Sequence, residues 1–144
     1  MNKNPANFVP LTPISFLHRT ADIYGQRQAV VYENRSYTWY ESRDRCVRMA
    51  SSLSKMGVQK GDTVAVFAFN TPEMFESHFS VPMSGAILNT INVRLDANTV
   101  AYIIDDGNAK ALIVDRELFD VASKALSVSS SQPTVILIDD GCAD

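Results

Sequence analysis

The sequence predicts an α/β fold class in which helices flank a mainly parallel sheet. Strand-like and helix-like segments alternate from residue 63 onward, and this alternation is typical of parallel sheets. The segment Thr63–Ala68, TVAVFA, is apolar at almost every position, which indicates a strand that helices cover on both faces. Apolar residues make up 46% of the 144 residues and charged residues 20%, a balance typical of a globular domain.

The sequence of the first part of the chain predicts an extended N-terminal lead-in, a helix and a β-hairpin. Residues 1–13 contain several prolines and are expected to be extended. A helix is expected over Ile14–Ile23, with Ser15 as the candidate N-cap. Gln28–Glu33 is rich in β-forming residues, and Asn34-Arg35 is typical of the turn of a hairpin.

The strongest local signal is the pair Thr38 and Glu41. Thr38 can accept a hydrogen bond from the first helical turn and Glu41 can reach back to Thr38, which predicts a capping box. A long helix is expected behind it, ending at Gly57. Its inward stripe is predicted to be Cys46, Val47, Ala50 and Leu53. Its arginines, at positions 43, 45 and 48, are expected to lie in solvent.

Strand and helix then alternate to the end of the chain. Thr71-Pro72 begins a helix, because a proline in the first helical position sacrifices no hydrogen bond, and Gly85 ends that helix. The later elements are expected to be a strand at Ala86–Leu88, a helix from Asp96 to Gly107, a strand at Lys110–Val114, a helix around Leu118–Ala125, a linker at Ser127–Pro133 and a strand at Val135–Ile138.

Charge and cysteine content argue against several classes of protein. The net charge of −3 comes from scattered residues, whereas nucleic-acid binding favours a basic surface. No apolar run approaches the ~20 residues that span a membrane. Cys46 and Cys142 form no CxxC motif, so neither a zinc site nor a disulfide framework is expected. The ends of the chain match neither a secretory signal nor a Ser-Lys-Leu address, and the expected compartment is cytoplasmic or peroxisomal.

Four segments in order carry a family resemblance. They are YTWYES (37–42), GVQKGDTVAVFAFNTPEMFE (57–76), SGAILNTIN (84–92) and NAKALIVD (108–115). Over roughly residues 10–140 the chain resembles the N-terminal portion of the adenylate-forming acyl-CoA synthetases, the AMP-dependent synthetase/ligase family. LTPISFLHRTADIYGQRQAVVY is most similar to plant acyl-activating enzymes for short-chain, medium-chain or aromatic acids. One departure is Thr90, where many members of the family have a proline.

The resemblance implies ATP, Mg²⁺ and CoA as the cofactors of the full-length family, and a carboxylic acid as substrate. That chemistry uses a phosphate loop rich in Gly, Ser and Thr with a lysine, and a mobile C-terminal lid with a catalytic lysine. Neither is found in this sequence. Ser129–Ser131 is the nearest match to the loop, but it has no glycine or lysine. We therefore expect no catalytic residue and no confident cofactor site here.

The end of the chain indicates part of a longer protein. No helix follows the strand at Val135–Ile138 to cover its second face. The expected organisation is a lead-in at 1–13, an incomplete N-terminal subdomain of an adenylate-forming enzyme at 14–140 and a tail at 141–144. Such a fragment is expected to be incompetent alone.

Three polar residues are the candidate site. Asn70, Thr90 and Asn92 follow predicted strands, at the carboxyl ends where open α/β sheets bind ligands. By resemblance they would belong to a surface on the substrate or CoA side. The alternative is that they serve only turns and loops. No metal ligands are predicted.

Several other residues also allow a functional or a purely structural interpretation. His78 can contact an acyl chain or be an ordinary helix histidine, and His18 is expected at the surface. Asp105-Asp106 and Asp139-Asp140 are adjacent pairs whose side chains diverge, so they are expected to be solvated ends of elements. Cys46 is expected to be a small core residue.

Two functions remain open from the sequence. The first is an N-terminal part of an acyl-CoA synthetase. The second is a non-catalytic module that associates with a full-length synthetase. A free-standing flavodoxin-like nucleotide binder is disfavoured because Phe67–Pro72 contains no glycine with which to approach a phosphate.

Overall fold

The computed structural model describes Asn4, Phe8, Val9 and residues 11–139. Its internal contacts divide the chain into two compact units, Met1–Arg45 and Cys46–Asp144. The predicted tail at 141–144 lies outside the described residues, and so does most of the predicted lead-in.

Helix α1 of the first unit spans Pro13–Tyr24. Its N-cap is Thr12, so the prediction that Ser15 is the cap is wrong. The Thr12 hydroxyl accepts from the Ser15 N–H at 3.1 Å, and Ser15 Oγ accepts from the Thr12 N–H at 3.0 Å. Ser15 therefore occupies the third helical position of a reciprocal capping box, where glutamate or glutamine is more usual.

The predicted hairpin is confirmed. Strands β1, Gln28–Tyr32, and β2, Arg35–Thr38, pair antiparallel. The turn residues are Glu33 and Asn34 rather than Asn34 and Arg35, because Arg35 already pairs with Tyr32. Glu33 has a φ of 52°, in the left-handed region that such a tight turn requires.

Helix α2, Trp39–Lys55, begins with the predicted capping box. Glu41 N–H donates to Thr38 Oγ1 at 3.2 Å, and Thr38 N–H donates to Glu41 Oε2 at 2.8 Å. The helix ends as expected at Gly57, whose φ is +88°. Val58 N–H donates to the Leu53 carbonyl at 3.1 Å, which is the long bond of a Schellman motif.

The predicted faces of α2 are partly wrong. Cys46, Ala50 and Leu53 are buried, but Val47 is 42% exposed, since it lies one residue, about 100°, away from Cys46. Arg43 is not fully solvated either. Its side chain is 17% exposed and lies 4.3 Å from the Tyr40 ring centroid.

The second unit contains the predicted alternation of strands and helices. Its elements are β3 Thr63–Phe67, α3 Pro72–Met83, β4 Ile87–Thr90, α4 Ala97–Asp106, β5 Ala109–Asp115, a 3₁₀ turn at Arg116–Leu118, α5 Phe119–Val128 and β6 Thr134–Ile138. The strand order is β4-β3-β5-β6 and every pairing is parallel. The predicted fold class is confirmed.

The element boundaries that differ from the prediction include those of β4 and of the linker after α5. Strand β4 begins at Ile87 and continues to Thr90, so Ala86 lies before the strand and Thr90 is its last residue. Thr90 pairs with Val66 of β3, and this parallel pairing extends the strand into the polar residues. Ser127 and Val128 belong to α5 rather than to the linker.

The sheet of the second unit is buried on both faces. Val64 and Val66 of β3 belong to a cluster that includes residues of α2 and α3. Ala65 and Phe67 belong to another cluster with residues of α4 and α5. All four β3 side chains are inaccessible to solvent, which confirms that helices cover this strand on both sides.

Candidate functional site

A cleft of about 420 Å³ lies beyond the carboxyl ends of β3 and β4. We call it the β3/β4 cleft. Its lining residues come from the segments after β3 and at the end of β4, and from one face of α3: Ala68, Phe69, Asn70, Met74, His78, Thr90, Ile91, Asn92 and Val93. The volume lies within the ~300–1,000 Å³ range of small-molecule sites.

The connections of the sheet explain why a cleft forms here. The chain leaves β3 for α3, which packs on one face, and leaves β4 for α4, which packs on the other face. Two neighbouring strands whose connections diverge leave a crevice at their carboxyl ends. Asn70, Thr90 and Asn92 are predicted to lie at this edge for the same reason, because each follows a predicted strand.

All three candidate residues line this one cleft. Asn70 and Asn92 lie in loops, and Thr90 ends β4. Each is exposed. Asn92 also serves its own loop, because its Oδ1 accepts from the Arg94 N–H at 3.0 Å. The side-chain amide N–H groups of Asn92 remain able to donate into the cleft.

His78 projects from α3 between two clefts. Its Nδ1 lies 2.9 Å from the Met74 carbonyl oxygen, and because a carbonyl only accepts, Nδ1 carries the proton. The Nε2 of the neutral ring is then an acceptor. The sequence left two roles open for His78, contact with an acyl chain or an ordinary helix position. Its position in the wall of both clefts depends on the packing of α3, which residue type alone does not indicate.

A second cleft of about 380 Å³ adjoins the first. We call it the aromatic cleft. It shares Asn70, Met74 and His78 with the β3/β4 cleft, and its other walls include Phe75 and Phe79, whose ring centroids are 5.2 Å apart in an edge-to-face arrangement. The two clefts therefore form a depression with a polar end and an aromatic end.

Neither cleft is lined by a lysine, arginine, aspartate or glutamate of the described residues. Phosphates and carboxylates are recognised mainly through Arg, Lys, metal ions or clustered backbone N–H groups. The lining side chains of the depression combine hydrogen-bonding amide, hydroxyl and imidazole groups with apolar and aromatic groups.

The serine-rich segment after α5 binds the carboxylate of Asp105 through hydrogen bonds. Ser129 Oγ donates to Asp105 Oδ1 at 2.7 Å, and the Ser131 N–H donates to the same oxygen at 2.9 Å. The Ser130 N–H donates to Asp105 Oδ2 at 3.1 Å. Asp105 is therefore a bound carboxylate, and the expectation that it is merely a solvated end is wrong.

These hydrogen bonds strongly lower the pKa of Asp105. The Ser129 hydroxyl contributes most and the Ser130 N–H follows, since each donor stabilises the charged carboxylate. Ser129–Ser131, the segment nearest to a phosphate loop in composition, therefore donates its hydrogen bonds to Asp105. It does not fit a nucleotide phosphate.

The remaining candidates have ordinary surroundings. Cys46 is buried as predicted, with Sγ 3.7 Å from the Glu76 carbonyl oxygen. His18 is exposed, and Asp139 pairs with Arg116 at 2.9 Å. Residues 11–139 contain no group of three or more His, Cys, Asp or Glu side chains placed to hold a metal ion. No helix in this range is long and apolar enough to cross a membrane.

Comparison with known proteins identifies the family. The family model described as AMP-binding enzyme matches residues 17–144. The chain belongs to the AMP-binding enzyme family. This membership confirms the resemblance that the four sequence segments carry.

The similar proteins are CoA ligases. The chain is 45% identical over 94% of its length to the peroxisomal trans-cinnamate:CoA ligase of Petunia hybrida, and 43% identical over 94% to a peroxisomal butyrate–CoA ligase of Arabidopsis thaliana. These alignments cover 26% and 24% of the relatives, so the chain spans about a quarter of their length. A long-chain-fatty-acid CoA ligase structure from Rhodopseudomonas palustris superposes with a TM-score of 0.83 and 28% identity, covering 92% of this chain and 34% of that one.

Proposed function

We propose that this chain contributes a structural and ligand-binding part of an acyl-CoA ligase, which joins a carboxylic acid to CoA through an acyl-adenylate at the expense of ATP. The observation that supports this most directly is the family match over residues 17–144, together with relatives that are CoA ligases. The cleft beyond β3 and β4, with Asn70, Thr90 and Asn92, is the proposed ligand surface.

These 144 residues do not adenylate an acid by themselves. Among the described residues, the segment nearest to a phosphate loop in composition, Ser129–Ser131, donates its hydrogen bonds to Asp105. The residues of the β3/β4 cleft include no cation to neutralise a triphosphate. ATP, and any Mg²⁺ that accompanies it, are therefore held by parts of the ligase other than the described residues. The compartment is cytoplasmic or peroxisomal.

An exchange of segments tests the contribution to a ligase. Residues 14–139 would replace the matching segment of the Arabidopsis butyrate–CoA ligase, and butyryl-CoA formation would be measured. We expect the hybrid to be active, because the exchanged segments are 43% identical. The matched control carries the segment of the Petunia ligase instead. An active control beside a folded but inactive hybrid would contradict the proposal.

The isolated chain supplies the complementary test. It would be incubated with ATP, hydroxylamine and acetate, butyrate or cinnamate, and acyl hydroxamate would be measured. We expect none above the background without protein. Hydroxamate formed by the purified chain would show that it adenylates unaided.

A second candidate function is association with a full-length synthetase. Strand β6 is an edge of the sheet within residues 11–139, and its side chains Val135 and Leu137 are 40% and 45% exposed. An apolar edge strand is a template for pairing with another chain. Co-elution of the chain with the Arabidopsis ligase, abolished by V135K/L137K, would support this candidate; separate elution would exclude it for this partner.

A further inference from the structure

Strand β6, Thr134–Ile138, forms one side of the sheet of the second unit. It pairs with β5 along one edge, and no other strand within residues 11–139 pairs with its second edge. The strand sequence, TVILI, contains no charged residue and no proline, the residue types that protect edge strands from pairing. The open edge of β6 can therefore accept a further strand.

The exposed side chains of β6 lie on one face of the sheet. Val135 and Leu137 are exposed, whereas Ile136 packs against the buried cluster of the opposite face. Their partners in β5, Leu112 and Val114, belong to the cluster that α4 and α5 cover. Val135 and Leu137 thus continue that apolar face to the edge of the sheet, where solvent reaches them.

A second copy of β6 is complementary to this edge in one register. Alternate residues of a strand direct their N–H and C=O groups to opposite edges, so in two identical antiparallel strands odd-numbered residues meet odd-numbered ones. The pairing that overlaps all of Thr134–Ile138 is centred on Ile136. It places Val135 opposite Leu137 of the second copy, and residues that are directly opposite share a face. The exposed apolar side chains of the two copies therefore cover each other.

Charged residues at both ends of β6 are complementary in the same register. Asp139 follows the strand and lies opposite Pro133 of the second copy. Lys110 of β5 lies beside Pro133, one position before the pair formed by Ala111 and Thr134. Two strand spacings, about 10 Å, separate Lys110 from Asp139 of the second copy, and an extended lysine side chain can cross most of that distance.

Both charged side chains are able to make this contact. Lys110 and Asp139 are exposed. Asp139 Oδ1 accepts from Arg116 of its own chain at 2.9 Å, and a carboxylate has a second oxygen with which to accept from lysine.

We propose that two copies of the chain form a symmetric dimer in which their β6 strands pair antiparallel, with Val135 opposite Leu137 and Lys110 near Asp139 of the other copy. The two-fold axis repeats both contacts, so the interface is closed and association through this edge stops at two chains. The dimer concerns the chain by itself and does not rest on the proposed ligase chemistry. Because the edge of β6 accommodates one strand, the dimer and association with a full-length synthetase exclude each other there.

Sedimentation velocity of the full chain over a series of concentrations tests the dimer. We expect a reversible equilibrium between monomer and dimer. V135K/L137K places lysines opposite lysines in this register and is expected to remain monomeric, because like charges directly opposite each other are destabilising. V47K/V128K, at exposed valines outside β6, is the matched control and should still form the dimer. A monomeric unaltered chain, or assembly beyond two chains, would overturn the proposal.

Charge reversal tests the contact between the two ends of the strand. Lys110→Glu faces Asp139 of the second copy and is expected to raise the dissociation constant of the dimer roughly 3- to 10-fold, because two exposed ion pairs are lost. Lys124→Glu, at an exposed position of α5, is the control. K110E/R116E/D139K inverts all three charges and is expected to restore the affinity. Equal dissociation constants for the two single variants would contradict the register.

Disulfide formation between copies tests the register directly. Val135→Cys and Leu137→Cys would be prepared as separate chains, each with Cys142→Ser so that Cys142 cannot form the bond; Cys46 is buried. An equimolar mixture is expected to give mainly the disulfide between the two different variants, because opposite residues have Cβ atoms about 4.5–5.5 Å apart. Equal yields of the mixed and the two like disulfides would refute the pairing. None of these measurements requires catalysis, so the dimer and the activity of the hybrid ligase can fail independently.

Discussion

At the scale of single residues, Asp105 shows how one carboxylate can organise a loop. It lies near the end of α4, and its partners Ser129, Ser130 and Ser131 follow α5. The bonds therefore join the end of one helix to the connection that leads into β6. A charged acceptor makes such hydrogen bonds stronger than neutral ones.

Asp105→Ala is expected to lower the thermal unfolding midpoint. The substitution removes the acceptor of two backbone N–H groups, at Ser130 and Ser131, and so loosens the approach to β6. The matched control is Asp106→Ala at the neighbouring, exposed position, which should unfold as the unaltered chain does. Calorimetry of the three proteins makes the comparison, and equal midpoints for both variants would contradict the role assigned to Asp105.

The location of some of these residues could be predicted from the sequence, whereas the hydrogen-bond partners of others could not. Asn70 and Asn92 could be located because polar residues just after buried strands reach the carboxyl edge of a parallel sheet. The partnership of Asp105 with Ser131 could not, since it spans 26 residues and depends on how two helices end. The tautomer of His78 likewise follows from a distance rather than from residue type.

At the scale of elements, the helix ends are the boundaries that the sequence predicts best. The capping box of α2 is predicted from Thr38 and Glu41, three positions apart, and is present. Asp96 caps α4 through the same spacing, since its carboxylate accepts from the Thr99 N–H at 3.1 Å. The boundary of β4 was wrong because it depends on pairing with β3, as the Thr90–Val66 pair shows. A capping hydrogen bond joins residues that are close in the sequence, so the sequence predicts it. The end of a strand depends on pairing with another strand that is distant in the sequence.

Thr38→Ala tests the cap of α2. The threonine hydroxyl accepts from Glu41 N–H and also donates to the Glu41 carboxylate at 2.9 Å. Its loss is expected to lower the free energy of unfolding by about 1 kcal/mol. Ser51→Ala, within the same helix at an exposed position, serves as the control and should change stability little. Urea denaturation followed by circular dichroism measures both, and a smaller loss for Thr38→Ala than for Ser51→Ala would refute the assignment.

At the scale of the whole molecule, the fold class could be predicted but the strand order could not. Alternating elements require a parallel sheet, yet the position of β3 between β4 and β5 follows from long-range packing. That order determines which loops meet, and therefore where the β3/β4 cleft lies. Carboxylates that accept hydrogen bonds occur in both units of the chain, and they make the free energy of unfolding depend on pH.

Acid is expected to destabilise the protein through three carboxylates. Hydrogen bonds lower the pKa of Glu41, chiefly from the Thr38 backbone; of Asp96, chiefly from the Thr99 hydroxyl; and of Asp105, chiefly from the Ser129 hydroxyl. In the unfolded chain such groups titrate near pH 4. Their stabilisation is therefore fully present above that range and is lost as the pH falls through it towards the lower folded values, because the unfolded state then binds more protons.

The urea midpoint measured at pH 7, 5, 4 and 3 should be nearly constant at first and then decline below about pH 5. The variant E41Q/D96N/D105N, whose neutral side chains cannot titrate, should be less stable at pH 7 and should show a flatter decline on acidification. Glu41 lies in the first unit and the aspartates in the second, so E41Q and D96N/D105N separate the two contributions. If the triple variant retained the full acid dependence of the unaltered chain, other carboxylates would have to be responsible, because these three would have contributed no proton uptake on unfolding.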